Sequence, residues 1–409
     1  MKHLKIQIRA KSPLCFSERR PSGQFRQSAG FVPGAVLRGA VATTMLRQGQ
    51  EHTAAFRRLL GIGQSPAALF HHAYPGDCVL PHTALSCKDN PGFFGRSEQN
   101  HGVFDALIDR LCFEQLRPPG VLYLPRCPSP NCQPGRAESF AGFYSKQGAA
   151  YQERKIPQRL LTRVGINRQR MAAESELLYS PLVLSESWWG KEGNDLRIQY
   201  ATFNGEVLVE DDLADDLTNA LQQISHLGSG AARGLGQVKV TRLPKTNEDK
   251  EEDTQAVAQR IARFNAALHT RWEELSQLCG ENLPARPQVF TVNLRSDAIL
   301  KEKGWLSTMV LTAEMLCEAA GINDSSLRLL RSYASYDYRG GWSTGQRLPK
   351  DTELATRAGS VFVFCTDDTN RWLQPLADLE VFGVGGRTAE GFGAVLACDD
   401  FHVEGREAR

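Results

Sequence analysis

Apolar and polar residues alternate at the start of the chain, where residues 2–10 carry an apolar side chain at every second position. A period of two residues is typical of a strand with one buried face. A polar loop follows at residues 17–28. Beyond it, apolar residues recur every three to four positions, after a Pro33–Gly34 pair that suits a helix start. The pattern predicts a strand, a loop and a helix.

The rest of the first half predicts a strand at 197–203, a helix at 211–224 and a strand at 237–240. This order suits a ferredoxin-like β-α-β-β-α-β unit. The second half repeats it, with predicted strands at 288–294, 360–365 and 394–397 and helices near 312–320 and 371–378. Between the halves, the charged segment 245–254 predicts a linker, and 254–278 predicts one long amphipathic helix. The predicted fold class is α+β, with two ferredoxin-like (RRM-like) units.

Two glycine-dense loops repeat each other, at residues 227–240 and 382–397. Each has a G-x-G, a spacer with one arginine (Arg233 or Arg387) and a second G-x-G. Dense glycine lets a backbone adopt positive φ, and its N–H groups can then form an anion-binding nest. The duplication predicts two backbone surfaces suited to phosphate. The matched glycines are Gly228, Gly230, Gly234 and Gly236 in the first loop and Gly383, Gly385, Gly391 and Gly393 in the second.

Composition narrows the class of protein. Hydrophobic residues make up 41% and charged residues 23% of the chain, as in ordinary globular proteins. The net charge of +2 gives no general preference for nucleic acid, so such a preference must be local. The charged first residues do not resemble a signal peptide, and no apolar run has the length of a membrane span. We therefore expect a cytoplasmic protein whose ten cysteines are reduced or bound to metal.

Three cysteines and one histidine predict a closed, structural zinc site: Cys87, His101, Cys127 and Cys132. The last two form a C-x4-C turn with two prolines. The segment has little apolar periodicity, so a metal would supply stability that a core cannot. The alternative is a set of unrelated cysteines in an irregular insertion. Cys78 and Cys112 are the other candidates, although Cys112 lies on an apolar helix face and fits a core position.

Residues 145–171 form a basic stretch with one acid, Glu153. Arginine offers a planar donor fork for phosphate and a face that stacks on bases. The alternative is a solvated charged face. The basic residues are Lys146, Arg154, Lys155, Arg159, Arg163, Arg168 and Arg170. In the second half, one segment mixes residues that stack on bases with residues that bind phosphate: Arg331, Tyr333, Tyr336, Tyr338, Arg339 and Trp342. The alternative is that these are ordinary aromatic residues of a sheet.

Several motifs resemble those of CRISPR-associated RAMP proteins. GFVPGAVLRGAV resembles their I-P-G-S-S-x-x-G helix start, and the glycine loops resemble their C-terminal glycine-rich loop. Within this superfamily, the chain resembles the RAMP subunit specific to type III-D effector complexes. The stretches that carry this resemblance are LPHTALSCKDNPGF, HGVFDAL, CPSPNC, TRVGINRQRMAAESELLYS and GGWSTGQRLPK. The C-x4-C departs from the family's closer C-P-x-C pair, whereas Asn167–Arg168 retains the end of its Ala-Ile-Asn-Arg segment.

The resemblance implies an N-terminal RAMP domain at 1–243, with a zinc-binding insertion at about 78–143 and the basic loop at about 145–171. A charged linker and helix at 244–284 and a C-terminal RAMP domain at 285–409 follow. It also implies a non-catalytic RNA-binding subunit of an antiviral effector complex that holds the 5′ repeat-derived tag of the crRNA. The implied partners are crRNA, backbone RAMP subunits and a large polymerase-like subunit, with target RNA as a further candidate.

The predicted RNA-binding residues come from the basic stretch, the first helix and the two glycine loops: Arg38, Arg163, Asn167, Arg168, Arg233, Gly234, Arg387 and Gly391. The alternative function is a metal-independent endoribonuclease that processes the crRNA precursor, for which a histidine would be the general base. His71, His72 and His82 are its candidates, with Tyr74 nearby. A nucleotide-binding enzyme is disfavoured because the G-K-[ST] end of a P-loop is missing.

Overall fold

The computed structural model describes residues 1–17, 25–94, 99–130, 132, 135–192, 195–244, 254–279, 284–343 and 348–409. Most of the predicted linker, at 245–253, and part of the predicted loop at 17–28 lie outside these residues. Among the helices in the described ranges, none combines the length and apolar content needed to cross a membrane.

The elements mix helices with short and long strands. The helices are α1 (Gly34–Arg47), α2 (Ala54–Leu59), α3 (Leu107–Leu116), α4 (Ala214–Gln222), α5 (Thr254–Ser276), α6 (Ala313–Ala320), α7 (Leu373–Phe382) and α8 (Phe401–Glu404). The strands are β1 (Lys2–Ala10), β2 (Phe25–Gln27), β3 (Ala68–Phe70), β4 (Cys78–Val79), β5 (Ala84–Cys87), β6 (Val103–Asp105), β7 (Ala137–Ser139), β8 (Phe143–Gln147), β9 (Ala150–Arg154), β10 (Gln158–Leu160), β11 (Arg163–Asn167), β12 (Ala172–Leu184), β13 (Ser187–Glu192), β14 (Asp195–Tyr200), β15 (Thr202–Val209), β16 (Val238–Arg242), β17 (Val289–Leu294), β18 (Leu300–Glu302), β19 (Leu306–Thr308), β20 (Arg328–Tyr333), β21 (Tyr336–Arg339), β22 (Trp342–Ser343), β23 (Leu348–Pro349), β24 (Glu353–Thr356), β25 (Val361–Cys365) and β26 (Val395–Ala397).

The first half folds around an antiparallel sheet in the order β16-β1-β15-β3. The alternation in β1 places Leu4, Ile6 and Ile8 in one core, which they share with buried residues of α1 and α4. The predicted first strand is confirmed, and α1 begins at Gly34 as the Pro33–Gly34 pair predicts.

The second half has an antiparallel sheet in the order β20-β25-β17-β26. In both halves, the first strand lies between the third and fourth strands of the unit, and two helices pack into the same core. Helices together with several antiparallel sheets agree with the α+β prediction.

The predicted strand at 197–203 is wrong in one respect, because it is divided at Ala201. The N–H of Ala201 donates to the carbonyl of Glu186, and its carbonyl accepts from Ala10. This buried junction separates β14, which pairs with β13 in an outer hairpin, from β15, which pairs with β1. A change of pairing partner within one apolar run cannot be read from periodicity.

The segment that carries the predicted metal ligands is contributed by the first half and packs on the second. Helix α3 buries Leu107, Leu111 and Leu116 in the core of the second half, which also holds α5. Its strands β6, β5 and β7 form a small antiparallel sheet next to this helix. The insertion therefore helps to hold the two halves together.

Candidate functional site

The four predicted metal ligands lie together. Their ligand atoms are all within 4.8 Å of one another. Cys87 ends β5, and β7 pairs with β5 so that Ala137 lies opposite Cys87, which returns the C-x4-C turn to this point. The Sγ atoms of Cys87 and Cys132 are 3.7 Å apart, and Cys127 Sγ is 3.3 Å from His101 Nδ1. The predicted set is one cluster, suited to a tetrahedral ion.

The thiols in this cluster differ in their surroundings. Burial raises the pKa of Cys87, but hydrogen bonds from the backbone N–H groups of Asn90 and Asp89 outweigh it and lower this pKa to about 7. Contact with Cys87 raises the pKa of Cys132 to about 12. Adjacent thiolates repel each other, and a bound cation would remove that repulsion. His101 Nε2 lies 3.4 Å from the side-chain nitrogen of Asn90, which leaves Nδ1 directed at the cysteines.

A glycine closes the C-x4-C turn. Gly135 donates to the carbonyl of Cys132 at 2.7 Å and accepts from the N–H of Cys127 at 2.9 Å. A Cβ at Gly135 would lie 2.6 Å from Cys132 Sγ and 2.7 Å from Cys127 Cβ. Cys112 is in the core of the second half, as predicted, and burial raises its pKa to about 12.

The first glycine loop and the basic stretch meet at a cleft of about 350 Å³. Arg163, in β11, donates to the backbone carbonyl of Arg233 at 2.6 Å. Arg233 in turn donates to the hydroxyl of Tyr179 at 3.1 Å, and its guanidinium lies 5.3 Å from the centre of that ring. Buried Cys15 and Leu235 line the floor. Segments 70 residues apart in sequence therefore form one surface with two arginines and one aromatic ring.

Asn167 and Arg168 lie at the tip of the hairpin formed by β11 and β12, within the segment predicted as a basic loop. The side-chain oxygen of Asn167 accepts from the N–H groups of Gln169 and Arg170 at 3.0 and 3.1 Å, and its nitrogen donates to Glu174. These contacts shape the turn. Arg168 is exposed, and no residue in the described ranges bonds to its side chain.

The second glycine loop is occupied by contacts within the chain. Glu390, only 8% exposed, accepts from Lys350 at 2.5 Å, Arg38 at 3.1 Å and Arg387 at 2.6 Å. Arg387 also approaches Glu353 at 3.4 Å. Arg38 lies in the first half, so the cluster joins the two halves. Burial raises the pKa of Glu390, but the Arg387 and Lys350 charges outweigh it and lower this pKa overall.

Gly391 follows Glu390 and is buried against the first half. A Cβ there would lie 2.4 Å from His72 Nδ1 and 2.7 Å from the carbonyl of Phe70. His72 Nδ1 accepts from the N–H of Gly34 at 3.0 Å. The N–H of Gly34, at the start of α1 where a phosphate could bind, therefore already donates to a residue of the chain.

Tyr179, Lys350 and Glu390 were not among the residues predicted to bind RNA, although Tyr179 and Lys350 lie in the stretches TRVGINRQRMAAESELLYS and GGWSTGQRLPK. A signal for Glu390 was present: it precedes Gly391 as Arg233 precedes Gly234. In the structure, both residues end a short 3-10 turn before a left-handed glycine. Arg387 precedes its turn and corresponds in place to Gly230. The two loops thus carry opposite charges at the matched position.

The wider basic and aromatic segments divide into paired and exposed residues. Ion pairs join Lys146 with Glu404 and Arg159 with Glu186. In the second half, Arg331 pairs with Glu114, and Arg339 is buried with Asp297 and Asp337. Tyr333 is partly buried under Arg110. Tyr336, Tyr338 and Trp342 remain about half exposed or more.

The three histidines considered for catalysis are built into the fold. Burial lowers the pKa of His72 to about 4 and also lowers that of His71. His82 Nε2 lies 2.9 Å from the hydroxyl of Ser335, and its backbone N–H donates to Gly359. Tyr74 donates to the backbone of Arg295 at 2.9 Å. The side chains of His72, His82 and Tyr74 thus contact other parts of the fold, whereas the buried Nε2 of His71 has no hydrogen-bond partner among the described residues.

No protein-family model matches the sequence, and no curated protein matches it. Among solved structures, the chain is similar to one in the cryo-EM structure of the type III-B Cmr-beta bound to cognate target RNA and AMPPnP, with 10% identity over 88% of this chain and 86% of that chain and a TM-score of 0.39. A chain of the type IV-B CRISPR complex is 12% identical over 61% of this chain and 96% of that chain, with a TM-score of 0.27. At TM-scores below 0.5, these likenesses assign no function.

Proposed function

We propose that this chain is a non-catalytic RNA-binding subunit of a type III CRISPR effector complex, of subtype III-D, and holds the 5′ repeat-derived tag of the crRNA. Each half is then a ferredoxin-like RAMP domain, a proposal supported by the shared sheet order and helix placement. The sequence motifs described above supply the subtype. The partners are crRNA and the other protein subunits of the complex.

One observation carries the RNA-binding proposal: two basic segments and an aromatic ring converge on an open cleft. Arg163 and Arg233 lie at its edge, and Tyr179 contributes a ring face. Single-stranded RNA is bound by guanidinium groups on phosphates and by rings or arginine planes on bases. Gly234 has no atom within 4 Å of a Cβ position, so a phosphate can approach its backbone.

The predicted RNA-binding residues fall into two groups. Arg163, Arg168, Arg233 and Gly234 surround the cleft or the hairpin tip, and Asn167 shapes that tip. Arg38, Arg387 and Gly391 surround Glu390, so RNA binding there requires this carboxylate to move. For that second group, RNA binding stays a prediction, and we propose the first group as the main contact.

The test is crosslinking and binding with guide RNA. In the assembled complex, we expect crosslinks at residues 160–171. With purified protein and a short, unstructured single-stranded RNA, Arg163→Ala and Arg233→Ala should each lower affinity about tenfold at low salt, since each removes a charge-assisted bond. Arg47→Ala, an exposed arginine at the end of α1, is the matched control. Wild-type affinity in both cleft variants, with crosslinks only to other subunits, would reject RNA binding.

We also propose that Cys87, His101, Cys127 and Cys132 hold one structural zinc ion. Three thiolates and one imidazole fill a tetrahedral shell and leave no open position for a substrate. Metal analysis should find about one zinc per chain, lost in Cys127→Ser with Cys132→Ser and reduced in Gly135→Ala. Cys78→Ala should retain the metal. Full occupancy in the double cysteine variant would refute this ligand set.

The alternative, a metal-independent endoribonuclease, gains no support from the contacts of its candidate histidines. Incubation of the purified chain with labelled repeat RNA in EDTA tests it directly. A discrete cut that disappears in His82→Ala or His71→Ala would favour the enzyme, whereas intact RNA with retained binding favours the assembly subunit.

A further inference from the structure

A two-stranded ribbon in the second half carries three exposed aromatic rings. Tyr336 and Tyr338 lie in β21 and are 53% and 50% exposed, and Trp342 in β22 is 61% exposed. Tyr336 and Tyr338 are two residues apart in β21, and because successive strand residues point to opposite faces, these two rings share one face. The tyrosine rings are 6.1 Å apart and nearly perpendicular, at 85°. Trp342 follows in β22, where the N–H of Lys350 donates to the neighbouring Gly341 at 3.0 Å.

The same ribbon is attached to a positive group of side chains. Lys350 follows β23, the strand that pairs with β22. Its backbone N–H donates to the carbonyl of Gly341, next to Trp342, and its ammonium group pairs with Glu390. The connected ion-pair network contains four basic and two acidic side chains, so it carries a net charge of +2: Arg38, Lys301, Lys350, Arg387, Glu353 and Glu390. Positive charge beside exposed rings is the combination that single-stranded nucleic acid binds.

A different exposed hairpin provides a contrast. In β13 and β14, Trp189 lies opposite Ile198, and Leu196 is 66% exposed on the same face. That face mixes one large aromatic with aliphatic side chains, which suits an apolar partner more than stacked bases. The face of β21 presents Tyr336 and Tyr338, whose rings can stack on bases while their hydroxyls stay in water.

We propose that Tyr336, Tyr338 and Trp342 form a second RNA-contact surface, on which unpaired bases stack while the adjacent positive network attracts the phosphates. This inference rests on the proposed function, because it assumes that the chain binds RNA. The bases at this surface belong to a different segment of the RNA from the one bound at the Arg163–Arg233 cleft. Stacking is tolerant of sequence, so this surface should contribute affinity without base specificity.

The experiment measures the affinity of the full chain for a short, unstructured single-stranded RNA over a range of salt concentrations. Tyr338→Ala and Trp342→Ala should each weaken binding about tenfold without changing the salt dependence, since stacking releases no counterions. Tyr338→Phe and Trp342→Phe keep a ring and should bind as the wild type does. Trp189→Ala, an equally exposed tryptophan, is the control.

Four results would overturn the proposal. Wild-type affinity in both alanine variants, with the expected loss in Arg233→Ala, would reject the aromatic surface and leave the proposed function intact. If the phenylalanine variants lose as much RNA affinity as the alanine variants, the substitutions weaken binding through folding and not through the loss of a stacking ring. Unchanged RNA affinity together with failure to assemble with the other subunits would identify a protein-docking surface. If the wild-type chain binds no RNA, the proposed function itself fails, and this inference with it.

Discussion

The glycine loop of the first half is exposed from Ala231 to Gly234, whereas that of the second half buries Glu390 and Gly391 against the first half. The matched glycines all have positive φ, from 73° to 91°, and each loop contains a short 3-10 turn that ends before a left-handed glycine. The repeated pattern thus produces the same backbone shape twice. The residue before the last G-x-G differs: Arg233 is exposed beside a cleft, and Glu390 is buried among three cations.

A glycine pattern therefore specifies a backbone conformation but not which residues that backbone contacts. The first loop keeps its surface open, so it can serve a ligand. The second loop uses the same geometry to let the halves approach closely, because Gly391 has no side chain to hold them apart. Of the two similar loops, one is open to solvent and the other packs the two halves together.

The largest expected effect comes from adding one methyl group to each loop. Gly391→Ala places a Cβ 2.4 Å from His72 Nδ1 at a φ of 91°, so we expect a loss of at least about 3 kcal/mol of unfolding free energy. Gly234→Ala has open space and should cost only the left-handed backbone strain of about 1–2 kcal/mol. Urea denaturation of both variants measures the difference. Equal losses would mean that the second loop is not packed as described.

The second prediction concerns pH and His72, which contacts the buried loop. Burial lowers the pKa of His72 to about 4, against 6.5 in the unfolded chain. As the pH falls from 6.5 towards 4, the unfolded chain takes up this proton and the folded chain does not, so stability falls. The loss should reach about 2–3 kcal/mol. Urea denaturation at several pH values should show a weaker pH dependence in His72→Gln; an unchanged dependence would contradict the assignment.

Much of this fold was predictable from local patterns, because strand and helix periodicity depends on neighbours in sequence. Strand β1 and the start of α1 follow from such patterns. The cluster of Cys87, His101, Cys127 and Cys132 was predictable from donor chemistry, since a C-x4-C pair with two prolines is typical of a turn whose thiols point to one place. The contact between Arg38 and Glu390 joins residues 352 apart and depends on tertiary packing, which periodicity does not encode.

The site was predictable only in part for the same reason. The basic stretch was recognised by its charge, but its meeting with Arg233 depends on where the β11–β12 hairpin lies. Tyr179 lies in the stretch TRVGINRQRMAAESELLYS, but its place beside Arg233 follows only from the cleft. The opposite charges of Arg233 and Glu390 were visible in sequence, because each residue directly precedes a matched glycine, Gly234 or Gly391.

The third prediction removes the charge from the buried carboxylate. Glu390→Gln leaves Arg38, Lys350 and Arg387 without their common partner. Breaking a buried ion pair costs about 3–5 kcal/mol, and because these cations are 20–29% exposed, we expect about 2 kcal/mol. Glu186→Gln, which breaks the more exposed pair with Arg159, should cost less than about 1 kcal/mol. Similar losses in the two variants would show that Glu390 does not join the halves.

The smallest effect is on the salt dependence of RNA binding, and it compares the two loop arginines directly. Each phosphate contact to a single strand contributes about 0.7 to the slope of log affinity against log salt concentration. Arg233→Ala should reduce the slope by about that amount, because Arg233 is exposed at the open cleft. Arg387→Ala should change it less, because its guanidinium is engaged by Glu390 and Glu353. An equal reduction in both variants would mean that RNA displaces Glu390 and that the second loop binds phosphate as the first does.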